Sequence, residues 1–357
     1  MTESSQPEKI PKVSEGEEPE AQDASASTTT TTTSTYAESL DVDVDGDHDS
    51  ALGDEVSTYT ASLTSEALNY RYEYGRRYHG YKDGSYPLPN DEQEIERLDV
   101  QHRLWLLTLE GKLHMAPLPE DVQDVLDVAT GTGTWCIDFA DQHPSARILG
   151  TDLSPIQPTL VPPNCTFIVD DSEAPWAFSQ KFDFIHSRAI VFGWHDWPSF
   201  FRQAFQNLKP GGYLECQDWK CDCIDAEGVP RRDNARMQGC DYMIEAARTV
   251  GIDLEATDRW EELVREAGFE DVHMMNIAWP DRPDTVPNGD QRVSEMGRIQ
   301  SWNFMQGIQG MSLRLLTGLG WSRERVEVFL AQARKDYLDP NVRAFTPITI
   351  MWARRPE

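Results

Sequence analysis

Short apolar runs alternate with longer amphipathic stretches from about residue 122 to the end of the chain. Seven of these runs have the length and the β-branched or aromatic content of strands, and helical periodicity fills the intervals between them. The predicted strands are a run ending at Asp127 and residues 147–152, 166–169, 182–186, 213–216, 272–278 and 347–353. Strands that alternate with helices predict an α/β protein with a doubly wound sheet and helices on both faces.

The first predicted helix begins at Asn90, a good N-cap residue, and continues until Pro117 and Pro119 end it. Its apolar positions, among them Leu98 and Trp105, recur along one side, so we expect it to pack beside the sheet and help close a ligand pocket. Later helices are predicted at residues 135–141, 198–208, 233–250, 258–267, 292–316 and 322–337, and residues 209–212 (Lys-Pro-Gly-Gly) are expected to form a turn into the fifth strand.

A glycine-bearing turn follows the first strand directly. Gly131 and Gly133 come just after Asp127, and a helix opens behind them. Glycines at such a turn let the backbone approach a ligand closely and aim helix N–H groups at it. The pattern alone is shared by sites for dinucleotides, flavins and S-adenosylmethionine.

Carboxylates end the next two predicted strands. Asp152 lies 19 residues beyond Gly133, which places it at the tip of the second strand, where it can accept hydrogen bonds from both hydroxyls of a ribose. A turn aspartate at the following bend is the alternative. Asp170 and Asp171 follow the third strand and could accept from an adenine amine beside an apolar wall at Trp176, unless they form a solvated loop.

These residues together resemble a class I S-adenosylmethionine-dependent methyltransferase. The resemblance rests on the run 126–133, the three aspartates above, the strand 183–186 and the Pro-Gly-Gly at 210–212. A narrower similarity, to the fungal LaeA-like methyltransferases of secondary metabolism, rests on residues 78–80, 91–94, 97–99, 156–158, 175–176 and 185–186. It covers about residues 70–357 and implies a Rossmann-like sheet with S-adenosyl-L-methionine as cofactor.

The resemblance also implies roles for single residues. The cofactor would contact Asp127, Ala129, Gly131 and Gly133 at the first strand and turn, then Asp152, Asp170 and Asp171, with Tyr78 and His79 forming a lid. Aromatic packing is the alternative for that pair. The family usually has glycine where this chain has Ala129, and alanine is tolerated there if its φ is negative.

Two histidines are candidates for a general base, which is needed only when the acceptor must lose a proton. His186 is expected at the tip of the fourth strand, and His195 follows in a tryptophan-rich stretch. A structural histidine bonded to a neighbour is the alternative for each.

Composition separates the N-terminal segment from the rest of the chain. Residues 1–66 contain 16 acidic residues against 2 lysines, together with six consecutive threonines, and are predicted to be a disordered acidic tail. Residues 67–120 are expected to form a lid and helix, and residues 121–357 the methyltransferase domain with helical cap insertions at about 221–268 and 280–340.

Charge and cysteine content limit the partners. The net charge of -29 and the lack of a basic face argue against direct nucleic-acid binding. No apolar run is long enough for a membrane span, so we expect a cytoplasmic protein, with a nuclear location as the alternative. The six cysteines fit reduced thiols, and their spacing matches no paired zinc knuckle, so no metal is predicted.

Three functions follow in order of preference. The first is S-adenosylmethionine-dependent methylation of a small molecule, which the family resemblance connects with fungal secondary metabolism. The second is a nuclear regulator of secondary-metabolite gene expression that acts through protein partners. The third is a nicotinamide-dependent dehydrogenase, whose fingerprint requires a glycine where this chain has Cys136.

Overall fold

The computed structural model describes residues 67–286 and 290–357, so the predicted tail 1–66 lies outside the described residues. Within these ranges a short hairpin pairs β1 (Arg71–Glu73) with β2 (Arg76–Tyr78). Seven further strands form one sheet: β3 (Asp124–Val128), β4 (Arg147–Asp152), β5 (Cys165–Val169), β6 (Phe182–Arg188), β7 (Leu208–Trp219), β8 (Glu270–Pro280) and β9 (Phe345–Arg354). Their order across the sheet is β5-β4-β3-β6-β7-β9-β8.

The sheet reverses direction at β9. Strands β3 to β7 pair in parallel, whereas β9 is antiparallel to both β7 and β8. All five residues of β3 are buried, as expected for a central strand covered by helices on both faces. The carboxyl ends of β3, β4, β5 and β6 therefore meet at one edge, and the predicted doubly wound sheet is confirmed.

Helices occupy the intervals between strands. Their bounds are α1 (Glu92–Thr108), α2 (Thr134–Gln142), α3 (Trp197–Asn207), α4 (Ala235–Thr249), α5 (Trp260–Glu266), α6 (Gln291–Gly318) and α7 (Arg323–Tyr337). Helix α5 packs on β8 and α3, while α4, α6 and α7 pack on one another and α1 packs along α6. Among the described residues no helix is both long and apolar enough to cross a membrane.

The first helix differs from its prediction at both ends. Asp91 is the N-cap, because its carboxylate accepts from the Glu94 backbone at 3.1 Å, and Asn90 instead donates its amide to Ser154 Oγ at 3.0 Å. The helix ends at Thr108, well before the prolines. Gly111, at φ +85°, donates back to the Leu106 carbonyl at 2.7 Å and closes the last turn, which is a common end for a helix.

The Lys-Pro-Gly-Gly stretch is also placed differently from the prediction. It lies inside β7 and does not precede it. Pairing with β6 passes from Phe182 opposite Leu208 to Phe184 opposite Tyr213, so residues 209–212 form a bulge. Pairing on either side of the bulge makes this strand longer than its apolar run.

Candidate active site

A cavity of about 160 Å³ opens at the carboxyl edge of the sheet. Its lining comes from the turn after β3, from the ends of β4, β5 and β6, from α1, and from segments 85–90 and 190–194. Ligands of open α/β sheets bind at this edge, because the strand order reverses there and leaves a crevice. The predicted residues that line it are Asp127, Ala129, Gly131, Asp152, Asp170 and Asp171.

The glycine turn has the backbone that its sequence predicted. Gly131 and Gly133 have φ +60° and +78°, and Gly133 is the N-cap of α2. A Cβ on Gly133 would lie 2.4 Å from the ring of Phe167, so a side chain is excluded. Gly133 itself does not line the cavity, whereas its neighbours Thr132 and Thr134 do. Its contribution is the close turn.

Ala129 has a left-handed backbone conformation, with φ of +56°. Alanine in place of the family's glycine was expected to be tolerated at a negative φ, and the observed φ is positive. A Cβ in this region costs roughly 1–2 kcal/mol. The chain therefore holds a strained alanine at the cavity wall.

The Asp152 carboxylate accepts two backbone hydrogen bonds and can accept more from a ligand. One carboxylate oxygen accepts the Gly131 N–H at 2.8 Å, and the other accepts the Ser154 N–H at 2.9 Å. An ionised carboxylate offers about four acceptor positions, so acceptor capacity is left for a ligand diol. Burial raises the pKa of Asp152 to about 6. The residue is ionised at neutral pH and lines the cavity, which fits the adenosine ribose of the family's cofactor.

The two acids after β5 differ in their partners. Burial raises the pKa of Asp170, which lines the cavity. Asp171 also lines it, but its carboxylate pairs with Lys82 at 3.2 Å and accepts the Glu173 N–H at 3.1 Å. Asp170 is therefore the better candidate to receive an adenine amine. Trp176 is not part of the lining, because its indole donates to the Ser172 carbonyl at 2.7 Å and packs against Phe178 and Phe200.

Asp127 joins the turn to the core. Its carboxylate accepts from the Thr130 hydroxyl in the turn at 2.5 Å. It also accepts from Nδ1 of His186 at 2.7 Å, because the pairing of β3 with β6 places Asp127 beside His186. Asp127 therefore fixes the turn while one side of it faces the cavity.

The structure corrects the position expected for His186. Strand β6 continues two residues further, to Arg188, so His186 is not at the strand tip. Its side chain is fully buried, stacks on Trp135 with centroids 3.9 Å apart, and does not line the cavity. Burial lowers its pKa to about 4, so the imidazole is neutral at physiological pH. Its Nε2 is buried without a hydrogen-bond partner, so the ring lies in the core and outside the cavity lining, where the geometry does not support a role as base.

His195 and Tyr78 also lie outside the cavity lining. Glu173 accepts from the His195 backbone at 2.7 Å and pairs with its ring at 2.7 Å, which raises the pKa of His195. Tyr78 is fully buried beneath Arg314, whose guanidinium lies 3.6 Å from the ring centroid. His79 bonds to the backbone of Tyr86, and it is Tyr86 that lines the cavity. Residues 78–79 therefore support segment 85–90 from behind and do not themselves line the cavity as expected.

Helix α1 contributes one face to the cavity, as expected for a helix that packs beside a ligand pocket. Leu98 and Trp105, which belong to its predicted apolar side, line the cavity together with Gln101 and His102, which were not predicted. The spacing of these four residues is the helical repeat, so the two polar residues could have been placed on this face from the sequence.

Arg188 was also missed, and it places a cation in the cavity. Its guanidinium donates to Gln217 at 2.8 Å and to Nδ1 of His102 at 3.0 Å. Because arginine only donates, His102 Nδ1 carries the lone pair and Nε2–H donates to Asp138 at 2.9 Å. Burial lowers the pKa of Arg188 to about 10, which still leaves it charged at neutral pH.

The cysteines form no recognisable metal centre. Cys223 and Cys240 bring their sulfurs to 3.4 Å, and no group of residues suited to a metal ion occurs in the described ranges.

Comparisons with known proteins identify the family of this chain. A family model described as a methyltransferase domain matches residues 100–274. Methyltransferase pytC of Aspergillus terreus is 36% identical over 302 residues, covering 83% of this chain and 91% of that protein. The secondary metabolism regulator LAE1 of Cochliobolus heterostrophus is 32% identical, covering 83% of this chain and 98% of that protein. The solved structure of Haemonchus contortus phosphoethanolamine N-methyltransferase 2 aligns with a TM-score of 0.43 and 16% identity over 73% of this chain and 52% of that one.

The resemblance expected from the sequence is thereby confirmed, and the dehydrogenase alternative is removed. The chain belongs to the class I S-adenosylmethionine-dependent methyltransferases and, within them, to the fungal family that includes pytC and LAE1.

Proposed function

We propose that this methyltransferase acts on a small molecule of fungal secondary metabolism. The observation that carries the cofactor half of the proposal is Asp152, a partly buried carboxylate at the strand tip that lines the cavity and retains acceptor capacity. The acceptor half is supported by the similarity to pytC and by α1 and segment 85–90, which line the cavity beside the proposed cofactor contacts.

Side chains of this chain would hold the cofactor at three points. Asp152 would accept from the ribose hydroxyls and Asp170 from the adenine amine, while Arg188 would pair with the carboxylate of the methionine part. The cofactor supplies a methyl group already activated on a sulfonium. The protein then has to align donor and acceptor and exclude water.

The lining offers no free imidazole for proton removal. His102 is the histidine among the described lining residues, and both of its ring nitrogens are engaged, by Arg188 and Asp138. This arrangement supports methyl transfer that depends on positioning the donor and the acceptor.

Calorimetric titration of the purified protein with S-adenosylhomocysteine and NAD tests the cofactor half. We expect S-adenosylhomocysteine to bind and NAD not to bind. Incubation of a fungal metabolite extract with methyl-labelled S-adenosylmethionine tests the acceptor half, and label is expected in the small-molecule fraction. Label found in protein alone would contradict a small-molecule acceptor.

The regulatory alternative is favoured by one observation, the similarity to LAE1 over 98% of that protein. Under this alternative the chain would act through a protein partner. Co-purification from fungal nuclei, together with cofactor binding but no labelled metabolite, would support it over the first proposal.

A further inference from the structure

A second cavity of about 100 Å³ lies directly beside the first. Gln101 lines both cavities, and Phe192 lines the second while the next residue, Gly193, lines the first. Its other walls come from the end of β7 and from α4, α6 and α7. The volume is several times the roughly 10–15 Å³ that one buried water needs, so it has room for a larger group. The cofactor contacts proposed above leave this cavity free.

Flat aromatic and apolar side chains form most of its walls. Phe304 stacks on Tyr337 with centroids 4.1 Å apart, and Phe192 stacks on Trp219 at 4.7 Å. Trp279 meets Trp105 of the first cavity edge to face at 4.9 Å. Aromatic surfaces that are already fixed by such pairs favour a planar apolar ligand, since little side-chain freedom is lost on binding.

Every charged side chain that lines this cavity within the described ranges has an opposite charge beside it. Arg97 pairs with Glu94 at 2.6 Å, Arg236 pairs with Asp281 at 2.8 Å, and Asp222 pairs with Arg232 at 2.7 Å. Lys220 pairs with Asp258. No spare charge is left to neutralise an ionic ligand, so burial of a carboxylate here would be unfavourable.

One buried polar group in the walls nevertheless lacks a partner. The Nε–H of Arg236 makes no hydrogen bond, and its side chain is only 5% exposed. Gln101 is a second polar side chain in the walls, and the residue is buried. A buried donor without a partner is costly in a folded protein, which suggests that a ligand supplies the missing acceptor. Arg236 lines the second cavity alone, whereas Gln101 lines both cavities.

We propose that the second cavity binds the methyl acceptor, and that this acceptor is a neutral, planar aromatic molecule with a carbonyl or hydroxyl oxygen that accepts from Arg236 Nε. Gln101 would hold the part of the molecule that faces the donor. The role as acceptor site rests on the proposed function, whereas binding of a neutral aromatic molecule does not depend on it.

Three naphthalenes that differ in one group test the chemistry. The intact protein, saturated with S-adenosylhomocysteine, is titrated with 2-acetylnaphthalene, 2-naphthoate and 2-ethylnaphthalene, and binding is followed by ligand-observed NMR and by tryptophan fluorescence. The ketone is expected to bind at least about tenfold more tightly than the carboxylate, because the cavity has no unpaired cation. Equal or tighter binding of the carboxylate would overturn the proposal.

Two helix variants locate the site. Ala333 is buried in α7 and lines the second cavity, whereas Ala331 is exposed on the same helix. Ala333→Leu is expected to abolish ketone binding and leave the Kd for S-adenosylhomocysteine unchanged, and Ala331→Leu is expected to alter neither. Unchanged ketone binding in folded Ala333→Leu protein would show that the cavity is not the site.

Arg236→Lys tests the hydrogen bond without removing the partner of Asp281. Lysine retains the charge but has no Nε–H, so the ketone should bind about tenfold more weakly while 2-ethylnaphthalene is unaffected. Equal losses for both ligands would reject the assigned hydrogen bond.

The two proposals fail in different ways. Ketone binding without S-adenosylhomocysteine binding would overturn the proposed function and retain the aromatic site. S-adenosylhomocysteine binding without ketone binding would retain the proposed function and overturn the aromatic site.

Discussion

Replacing Asp152 with alanine should weaken cofactor binding without unfolding the protein. The carboxylate accepts the Gly131 and Ser154 N–H groups, and the proposed ribose hydroxyls would take its remaining positions. Alanine leaves those N–H groups unpaired. However, burial raises the pKa of Asp152 to about 6 even though these two hydrogen bonds lower it, so the ionised carboxylate is costly to bury at pH 7. Removing the carboxylate therefore offsets part of the cost of the two unpaired N–H groups, and we expect the variant to remain folded.

The loss of affinity follows from the hydrogen bonds to the ligand. A hydrogen bond to a charged group contributes about 1.5–3 kcal/mol, and about 1.4 kcal/mol is a factor of ten in Kd. Asp152→Ala should therefore raise the Kd for S-adenosylhomocysteine at least about tenfold. The 2′-deoxy analogue should bind wild-type protein about tenfold more weakly than the parent ligand, and the variant should scarcely distinguish the two.

Isothermal titration of both proteins with both ligands measures this coupling, and thermal unfolding checks that the variant is folded. Asp141→Ala, at an exposed acid on α2, is the control for the change in net charge. A folded Asp152→Ala protein with an unchanged Kd, or one that still discriminates against the deoxy analogue as the wild type does, would show that Asp152 is only a turn residue.

Three further predictions follow from the site. The Kd for S-adenosylhomocysteine should rise about tenfold between pH 7 and pH 5, because protonation of Asp152 through its pKa of about 6 removes the acceptor; a flat profile by titration calorimetry would contradict this. Ala129→Gly should relieve strain of roughly 1–2 kcal/mol at φ +56° and lose about 0.5–1 kcal/mol to backbone entropy, so its Tm should be equal to or above that of the wild type; a clear fall in Tm would show that the alanine is not strained. His186→Gln should leave turnover within about threefold but lower the Tm by a few degrees, because the ring is core and stacks on Trp135; a loss of roughly 10²–10⁴ in turnover with a wild-type Tm would restore His186 as the base.

Local sequence pattern was sufficient for the order of elements and the edge of the sheet that carries the site. Apolar runs of strand length alternate with helical repeats, and each repeat is a property of adjacent residues. Gly131 and Asp152 follow such runs directly, so the parallel sheet brings them together at one edge. These features depend only on spacing and on strand direction.

The exact environment of single side chains depended on pairing and packing. His186 is core because β6 pairs two residues beyond it, and Ala129 has a positive φ because the turn requires it. Neither property is encoded in the neighbouring residues alone.

The second cavity could not be predicted from the sequence. Gln101, Arg236 and Ala333 belong to three helices and are separated by about a hundred residues or more along the chain. They line one cavity only because α1, α4, α6 and α7 pack together. Whether a buried arginine has a free N–H depends on every neighbour that could have accepted from it. The sequence by itself therefore determined the fold family and the cofactor edge, and the tertiary structure decided which side chains face a ligand, because burial and hydrogen-bond partners are set by long-range contacts.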